Sequence, residues 1–536
     1  MSLLAGLAVG GGAQSGAERT ARDFAAAWER GDVRAMHRLL TPEARRDYPL
    51  RRFRRAYERA ASTATATAVE AGAAAGERDG GVLIPVDVRT RVFGRVAGPV
   101  VIPVTDERVD WSPELVFPSL QRGQRLTRGS APPERARLLA RNGRVLAEGP
   151  ADARGSPLTG IADSIAGSMD AEETRAERRR LYSLGFPPDW PVGQSGLEEA
   201  FEERLRGRPG GELIAGGRRV LARARPRRAR DVHTTIAPRL QDAAVLGLAG
   251  RFGGVAALDP RNGEVLALAG IAFSAPQPPG STFKIVTTTA ALEARAVKLR
   301  TEFPVQTAAI VDGVELENAN GESCGGSFRE SFAHSCNSVF GPLGVEVGAD
   351  RLVDVAERYG WNQEPTIPGE VASTLPPARE IVTPLEVAST AIGQFRTLAT
   401  PLQMVSVAQT IANGGVRRVP TLALGEHAPP VRVTSRRVAR TIESLMIDVV
   451  DYGTGTAAAI EGVKVAGKTG TAELEDTRDP ETGETLPSDP SNTDAWFTAY
   501  APARRPRIAV AVMLVRAGAG GATAAPAARV VLDAAL

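Results

Sequence analysis

The 536-residue chain is longer than one hydrophobic core usually serves, so we expect at least two domains and favour three. Hydrophobic residues make up 43% and charged residues 24%, an ordinary globular composition that excludes a wholly disordered chain, a collagen-like chain or a multi-span membrane protein. The 65 basic and 62 acidic residues almost balance, and a net charge of +3 does not by itself indicate a nucleic-acid binder.

The chain starts with a short apolar segment, Leu3 to Val9, followed by three glycines. It is much shorter than the ~20 residues that span a bilayer. Two interpretations remain open for residues 1–16: the tail of a signal peptide or membrane anchor whose start is missing, or a flexible leader. We favour the truncated anchor. No other segment of the sequence approaches membrane length.

Residues 17–120 are predicted to form a small α+β domain. Helix-forming residues fill Ala17 to Arg30, where Phe24 and Trp28 share one face. A second helical stretch follows, and then the pattern changes to two strands, Gly81 to Val88 and Gly98 to Val104. The order is therefore helices first and sheet second, over an ordinary domain length.

Residues 121–230 alternate short strand-like pieces with charged helices such as Ala171 to Tyr182. A basic run covers 218–228. A solvated face or hairpin is the favoured interpretation of this run, because charge runs are usually solvated, and contact with an anionic lipid or polymer is the alternative.

Residues 231–536 have a more regular pattern. Ala256 to Leu268 is predicted to be a β-hairpin turning at Asn-Gly, and further strands are predicted over Trp496 to Ala501 and Arg507 to Val515. Helices such as Pro401 to Ala412 lie between them, and Ala527 to Leu536 is predicted as a closing helix. Strands at both ends with helices between them indicate a central antiparallel sheet covered by helices.

Lysine is rare in this arginine-rich chain, and it occurs only at positions 284, 298, 464 and 468. Arginine stays protonated, whereas lysine can lose its proton and act as a base. The two cysteines and four scattered histidines do not provide a zinc-binding pattern, so we expect neither a metal nor another cofactor.

The first candidate motif is Ser281 and Lys284, three apart at the point where a loop enters an apolar helix. This spacing places both side chains on one helical face. A serine is a poor nucleophile until a base removes its proton, and a buried lysine with a lowered pKa can be that base. The alternative is an N-capping serine with a surface lysine.

Two further motifs follow in chain order. Ser335 and Asn337 offer a hydroxyl that can relay a proton and an amide that can bind a substrate amide, although such residues fill many ordinary turns. The third motif supplies a cation for a substrate carboxylate, two hydroxyls, and a glycine that lets a substrate backbone approach a strand edge: Lys468, Thr469, Gly470 and Thr471. Alone it also fits a strand end with two solvent-exposed threonines.

Together, in this order, the three motifs resemble the Ser-x-x-Lys, Ser-x-Asn and Lys-Thr-Gly signature of the serine penicillin-recognising enzymes. The chain resembles the class B penicillin-binding proteins, the peptidoglycan D,D-transpeptidases. The helix-then-sheet unit with Trp111 is similar to the nuclear-transport-factor-like (NTF2-like) domain of methicillin-resistance penicillin-binding proteins. The segment 196–211 is similar to the part that precedes the transpeptidase domain in this family.

The resemblance implies an α+β multidomain fold. Its C-terminal domain, 231–536, is expected to be of the transpeptidase and serine β-lactamase type, a five-stranded antiparallel sheet with helices on both sides. A cone-like α+β domain, 17–120, and a pedestal or linker domain, 121–230, are expected to precede it.

The resemblance also implies roles for the motif residues. Ser281 attacks the carbonyl of a D-alanyl-D-alanine stem peptide or a β-lactam, and Lys284 takes its proton. Ser335 passes a proton to the leaving amine, and Asn337 holds the substrate amide. Lys468, with Thr469 and Thr471, holds the carboxylate beside Gly470, and the backbone N–H groups of Ser281 and Thr471 form the oxyanion hole.

Two features depart from the family pattern. The middle residue of the second motif is Cys336, where related β-lactamases carry Asp, and it either forms a disulfide with Cys324 or both remain buried thiols. A polar acidic stretch, 475–492, is interpreted as an insertion between the third motif and the next strand. A surface loop is the favoured interpretation, and a gate over the cleft is the alternative.

Other functions that use the same three motifs stay open. A β-lactamase or β-lactam sensor is disfavoured by the two extra domains, whereas a D,D-carboxypeptidase differs only in its acceptor. A non-catalytic scaffold of the wall-synthesis machinery is disfavoured by the intact motifs. The residues ahead of Asp231 are not similar to a glycosyltransferase, so a membrane polymerase partner is expected at the extracytoplasmic face of the bacterial membrane.

Overall fold

The computed structural model describes residues 15–78, 80–161, 163–474 and 490–536. The first part of the chain forms four helices and then strands: α1 (Gly16–Glu29), α2 (Val33–Arg38), α3 (Pro42–Asp47), α4 (Leu50–Ala64), β1 (Ala66–Ala71), β2 (Glu77–Arg78), β3 (Gly81–Thr90), β4 (Gly94–Ile102), β5 (Val104–Thr105) and β6 (Arg108–Val109). The predicted helices-then-sheet order is therefore confirmed.

A curved antiparallel sheet forms the frame of this first unit. Strand β3 pairs with β1, β2 and β4, all antiparallel. Alternate residues of β3 point inward, and the apolar stripes of α1 and α4 cover that face, where Phe24, Phe53 and Trp111 are buried. Ser15 caps α1 in a reciprocal capping box with Glu18.

The middle of the chain contains short elements: β7 (Leu126–Ala131), β8 (Leu138–Leu139), β9 (Val145–Ala147), β10 (Met169–Ala171), α5 (Arg175–Leu184), β11 (Pro191–Gly193), α6 (Gly196–Ala200), α7 (Glu202–Leu205), β12 (Gly210–Ala215) and β13 (Arg219–Ala224). The basic run lies on and after the β12–β13 hairpin, as favoured from the sequence. The predicted helix at 171–182 begins later, at Arg175, because residues up to Ala171 pair as a strand with β11.

The apolar residues of this middle part are divided between two cores. Leu213 packs into the N-terminal core, whereas Leu138, Leu197 and Leu205 pack into the C-terminal core. Only a small cluster around Phe186 is separate from both among the described residues. The domain boundaries at 120/121 and 230/231 stay predictions.

The C-terminal part contains the remaining elements: β14 (Val232–His233), α8 (Pro238–Leu248), β15 (Gly253–Leu258), β16 (Val265–Gly270), α9 (Lys284–Ala294), β17 (Glu302–Gln306), β18 (Ala308–Val311), β19 (Val314–Glu317), β20 (Cys324–Ser327), α10 (Phe328–Ala333), α11 (Asn337–Val347), α12 (Ala349–Tyr359), α13 (Pro384–Ala391), α14 (Pro401–Ala412), β21 (Val416–Arg417), β22 (Val431–Arg432), α15 (Arg436–Asp451), β23 (Ala466–Glu473), β24 (Thr493–Ala501), β25 (Ile508–Leu514) and α16 (Gly520–Ala535).

The centre of this part is a five-stranded antiparallel sheet in the order β16-β15-β25-β24-β23. Alternate residues enter two different cores: Val255, Phe497 and Val510 pack under α8 and α16, whereas Ala256, Trp496 and Ala511 pack under the other helices, including α14. Both faces are buried, which explains why β15, β16 and β25 contain no polar side chains. The predicted sheet, with helices on both sides, is confirmed.

The closing helix α16 begins at Gly520, earlier than the predicted Ala527, because its alanine-rich first half packs against β23 and β24. Within the described residues, no helix is both long and apolar enough to cross a membrane. The predicted leader or anchor, 1–16, lies almost entirely outside the described residues.

Candidate active site

Three chain segments meet at the edge of the central sheet. The first is a 3₁₀ turn, Gly280–Phe283, that continues directly into α9. The second is the short turn between α10 and α11, which carries Ser335. The third is the edge strand β23, which carries the Lys-Thr-Gly sequence. Sequence positions nearly 190 residues apart are thereby brought together, as the three motifs predicted.

Glycines let the nucleophile turn lie directly on the edge strand. Gly280 has φ +51°, and a Cβ there would lie 2.6 Å from the carbonyl oxygen of Thr471. A Cβ on Gly393 would lie 2.1 Å from the Gly280 carbonyl oxygen, which shows how closely a third segment supports the turn. Any side chain at either position would separate Ser281 from β23.

The edge strand directs backbone groups toward this turn. In an extended strand the N–H and C=O of one residue point to the same side. Because the carbonyl oxygen of Thr471 lies against Gly280, the N–H of Thr471 points to the side where Ser281 lies. Ser281 is half-buried, and within the described part of the chain its hydroxyl has no hydrogen-bond partner.

Lys284 is completely buried at the start of α9. Its Nζ donates hydrogen bonds to the Ser335 carbonyl oxygen at 2.7 Å and to Asn337 Oδ1 at 2.7 Å, and lies 3.3 Å from Ser335 Oγ. The ring of Phe340 lies under the amine, with its centroid 5.2 Å away. These contacts fix Lys284 between the first and second motifs and exclude the predicted alternative of a surface lysine.

Lys468 is the second buried amine of the site. Its Nζ lies 2.9 Å from Ser335 Oγ and 3.0 Å from the carbonyl oxygen of Thr469. The Ser335 hydroxyl therefore lies between two lysine amines. The three groups form one continuous path from the third motif, through the second, to the first.

Burial lowers the pKa of both lysines. For Lys284, desolvation is the larger cause and the positive charge of Lys468 the second, and together they hold its pKa well below 10.5. For Lys468, desolvation lowers the pKa to about 7. Both shifts favour the uncharged amine, and the repulsion from Lys468 adds to desolvation at Lys284.

The hydrogen-bond geometry suits a neutral Lys284. An uncharged amine has two hydrogens and one lone pair, and the two carbonyl acceptors at 2.7 Å use both hydrogens. The lone pair is then left to accept a proton from a hydroxyl. Because Lys468 is the donor to Ser335 Oγ, the Ser335 hydrogen can point to Lys284.

Two contacts next to Ser335 hold its turn in an uncommon backbone conformation. Ser335 has φ +63°, a left-handed conformation that is uncommon for residues other than glycine. Asn337 donates through Nδ2 to the Glu317 carbonyl oxygen at 2.8 Å. A disulfide joins Cys336 to Cys324 across a Cα separation of 5.4 Å, so the disulfide alternative is confirmed over two buried thiols.

The hydroxyls of the third motif have different partners. Thr469 is almost fully buried, and its Oγ1 lies 2.5 Å from Thr454 Oγ1. Thr471 is more exposed, and its Oγ1 accepts a hydrogen bond from the N–H of Gly520 at 3.3 Å, at the first residue of α16. Gly470 is packed so closely that a Cβ would lie 2.8 Å from the Pro279 carbonyl oxygen.

The structure thus brings all eight residues predicted from the sequence to one place, although their catalytic roles stay predictions. Sequence reasoning missed the supporting residues Thr454, Glu317 and Phe340. Thr454 belongs to a Gly-Thr repeat, 453–456, that has the pattern of an ordinary loop. Nothing in the sequence pairs it with Thr469.

Two other predictions concern groups at or near the site. Within the described ranges, no group of three or more His, Cys, Asp or Glu residues is arranged to hold a metal ion. Of the polar acidic stretch 475–492 that was predicted as an insertion, residues 475–489 lie outside the described residues.

Comparison with protein-family models gives two matches. Residues 253–533 match the penicillin binding protein transpeptidase domain, and residues 16–124 match the NTF2-like N-terminal transpeptidase domain. Among curated proteins, the chain is 34% identical over 434 residues to peptidoglycan D,D-transpeptidase PbpA of Mycolicibacterium smegmatis, covering 66% of this chain and 81% of that protein.

Solved structures show the same similarity. The D,D-transpeptidase domain of a peptidoglycan glycosyltransferase from Eggerthella lenta has a TM-score of 0.61 at 29% identity, over 75% of this chain and 98% of that one. The penicillin G acyl-enzyme complex of penicillin-binding protein A from M. tuberculosis has a TM-score of 0.59 at 27% identity, over 75% and 99%. The chain therefore belongs to the penicillin-binding protein transpeptidase family, as a class B member with an NTF2-like N-terminal domain.

Proposed function

We propose that this protein is a serine-type peptidoglycan D,D-transpeptidase that uses Ser281 as its nucleophile, and that β-lactams acylate the same serine. The observation that carries the proposal is the pair of buried lysines, Lys284 and Lys468, joined through the Ser335 hydroxyl one helical turn from Ser281. A purely structural site would not bury two amines beside each other, because each loses hydration and repels the other.

Acylation begins when the neutral Lys284 removes the Ser281 proton. Ser281 Oγ then attacks the carbonyl carbon of the penultimate D-alanine, and the bond to the terminal D-alanine breaks as the tetrahedral intermediate collapses. The leaving nitrogen needs a proton, and Ser335 supplies it. The proton held by Lys284 replaces the one that Ser335 has given, so the acyl-enzyme forms with no net change in the site's protons.

Substrate binding uses the groups around this path. The positive charge of Lys468 and the hydroxyls of Thr469 and Thr471 hold the terminal carboxylate. The N–H groups of Ser281 and Thr471 stabilise the negative charge that develops on the carbonyl oxygen. Asn337 holds the substrate amide beside Lys284.

The second half-reaction transfers the acyl group to an amine of a neighbouring strand. Lys284 accepts a proton from the attacking amine, the new amide bond forms, and Ser281 recovers its hydrogen as the ester bond breaks. A β-lactam follows the first half-reaction but keeps its leaving nitrogen attached through its own ring, so the product stays on Ser281.

Penicillin labelling tests the proposal. Incubation with penicillin G should add one penicillin mass to the protein, and peptide mapping should place it on Ser281. Ser281→Ala should remove the adduct completely, whereas Ser183→Ala, a matched change on α5, should leave it unchanged. A wild-type chain that stays unmodified would support the scaffold alternative and contradict the proposal.

The acceptor separates this function from a D,D-carboxypeptidase. A stem-peptide thioester should be converted mainly to an amide when a D-amino acid amine is present, because the amine competes with water for the acyl-enzyme. Release of the free acid alone, at every amine concentration, would instead identify a carboxypeptidase. The ratio of the two products is measured by mass spectrometry.

We also propose that the protein acts at the extracytoplasmic face of the membrane beside a separate glycan polymerase. The Cys324–Cys336 disulfide supports an oxidising compartment. A reconstitution tests the partner: lipid-linked disaccharide-pentapeptide should give cross-linked glycan only when a polymerase is added. Cross-linked polymer formed by this chain alone would contradict the proposal.

A further inference from the structure

The loop before the edge strand reaches into the site through one residue that no motif contains. Thr454 follows α15, and the loop backbone lies against the end of α10, where a Cβ on Gly453 would lie 2.3 Å from the Ala333 carbonyl oxygen. Ala333 is two residues before Ser335. Thr454 therefore connects the helix end that carries the second motif to the strand that carries the third.

The contacts of Thr454 leave its hydroxyl two possible acceptors. Its backbone N–H already donates to the Ala333 carbonyl oxygen at 3.1 Å. Its Oγ1 is 3.4 Å from the same carbonyl oxygen but only 2.5 Å from Thr469 Oγ1. Hydroxyl hydrogen bonds are strongest near 2.7 Å and weak at 3.4 Å, so the Ala333 carbonyl oxygen competes poorly for the Thr454 hydrogen. Either hydroxyl can donate across the short contact, and when an anion takes the Thr469 hydrogen, Thr454 is the donor.

This direction has a consequence for the substrate-binding hydroxyl. Each threonine hydroxyl has one hydrogen. When Thr454 donates to Thr469, the oxygen of Thr469 is occupied as an acceptor and its own hydrogen is left to point into the cleft. If Thr454 instead donated to the Ala333 carbonyl oxygen, Thr469 would donate its single hydrogen to Thr454. It would then have no hydrogen to donate to an anion.

We propose that Thr454 is a positioning residue that directs the Thr469 hydroxyl hydrogen toward the substrate carboxylate. The inference rests on the proposed function, because it requires a carboxylate held by the third motif. Thr471 does not depend on Thr454, since its oxygen accepts from the Gly520 N–H and its hydrogen is already available. The selectivity for a free carboxyl end is thus set partly by a residue that does not contact the substrate.

Two probes that differ only in the carboxyl group test the proposal: an acyl-D-alanyl thioester with a free terminal carboxylate and its methyl ester. Thr454→Val keeps the branched shape and the backbone bond to Ala333 but removes the hydroxyl. We expect kcat/KM for the acid to fall roughly tenfold, mainly through KM, because one hydrogen bond to a charged group is weakened. The value for the ester should not change.

Conservative and control variants separate this role from a structural one. Thr454→Ser should restore the acid's kcat/KM to within about twofold of wild type, because it keeps the hydroxyl. Thr456→Val, on the same loop with an exposed side chain, should affect neither probe. Thr454→Ala is a second variant without the hydroxyl and has a smaller side chain. We expect it to lose the preference for the acid over the methyl ester to the same extent as Thr454→Val.

Equal losses on both probes would overturn the proposal and show a structural role, and an unchanged preference for the acid in Thr454→Val would overturn it as well. Failure of the proposed function has a different result: the wild-type chain itself would not be acylated by penicillin G.

Discussion

At the scale of single residues, Lys284 and Lys468 both contact the Ser335 hydroxyl, and each affects the charge of the other. Burial lowers the pKa of both, and Lys284 is lowered further by the charge of Lys468. A positive charge on Lys468 therefore disfavours a second positive charge on Lys284. This coupling lowers the cost of a neutral amine beside Ser281, and it depends on the proximity of the two lysines.

The lowered pKa of Lys468 predicts how the acylation rate falls on the alkaline side of its pH profile. The second-order rate constant for acylation by penicillin G reports the free enzyme, in which Lys468 has a pKa of about 7. As the pH rises through this value, Lys468 loses the charge that binds the carboxylate. The rate constant should halve near pH 7 and then fall by up to about tenfold per pH unit.

Circular dichroism at each pH is the control, because the fold must stay intact across the range. A rate constant that does not change between pH 6 and pH 9 would contradict the assignment of Lys468 to the carboxylate.

Asn337→Asp tests the neutral state of Lys284. The change places a carboxylate where Oδ1 now lies 2.7 Å from Nζ, so the pKa of Lys284 rises and a larger fraction of the amine is protonated at neutral pH. We expect acylation at pH 7 to fall at least about tenfold, and the acid limb of the profile to move to higher pH.

Asn318→Asp is the matched control, because Asn318 accepts from the Ser338 N–H in the same cluster and does not touch Lys284. An acid limb that moves equally in both variants would show that the shift does not come from contact with Lys284.

At the scale of elements, the site depends on a 3₁₀ turn lying against an edge strand. Gly280 combines a left-handed backbone with contact to the Thr471 carbonyl oxygen, so conformation and space both require glycine. The contact fixes the distance between Ser281 and the N–H of Thr471. The presence of a 3₁₀ turn and an edge strand would not by itself set that distance.

Gly280→Ala should therefore destabilise the protein by more than the strain of a left-handed backbone alone. We expect a loss of about 2 kcal/mol or more in the free energy of unfolding, measured by urea denaturation, and a large decrease in penicillin acylation. Gly31→Ala is the matched control: Gly31 has φ +68° with no atoms within 4 Å of a Cβ, so it should cost about 1 kcal/mol and leave acylation unchanged. Equal effects of the two changes would contradict the steric argument.

At the scale of the whole molecule, the described residues form one N-terminal core and two C-terminal cores, one on each face of the central sheet. The middle segment packs on the N-terminal core and on one of the two C-terminal cores. The sheet formed by β7, β12 and β13 packs on the N-terminal core, where Arg128 donates to the carbonyl oxygens of Ser62 and Thr63 at the end of α4. The pieces around Leu138 and Leu205 belong to the transpeptidase core. The middle segment therefore links the N-terminal and C-terminal units and is not a third unit with a large core of its own.

Calorimetry of the full chain should show two unfolding transitions. Acylation by penicillin G adds contacts only at the transpeptidase site, so it should raise the transition of the C-terminal core and leave the other unchanged. Arg128→Gln removes the bonds to α4 and should lower only the N-terminal transition. A single transition that shifts as a whole with penicillin would show that the two cores unfold cooperatively.

The sequence by itself was enough to predict most of the elements of this protein and to indicate its family. Local patterns, such as the Asn-Gly hairpin and the apolar strands near the end of the chain, indicated the central sheet because turn residues and short apolar runs are read from a few neighbouring positions. Three short motifs identified the family and all eight predicted site residues, since each motif is contiguous in the chain.

Tertiary structure decided how those residues act. The lowered pKa of Lys284 comes from burial and from Lys468, which is distant in sequence, and no local pattern encodes either cause. The choice between a disulfide and two thiols depended on the separation of Cys324 and Cys336 in the fold. Thr454 is an ordinary loop residue until folding brings it to Thr469. Contacts between distant segments set charge and hydrogen-bond direction, and only the folded chain contains them.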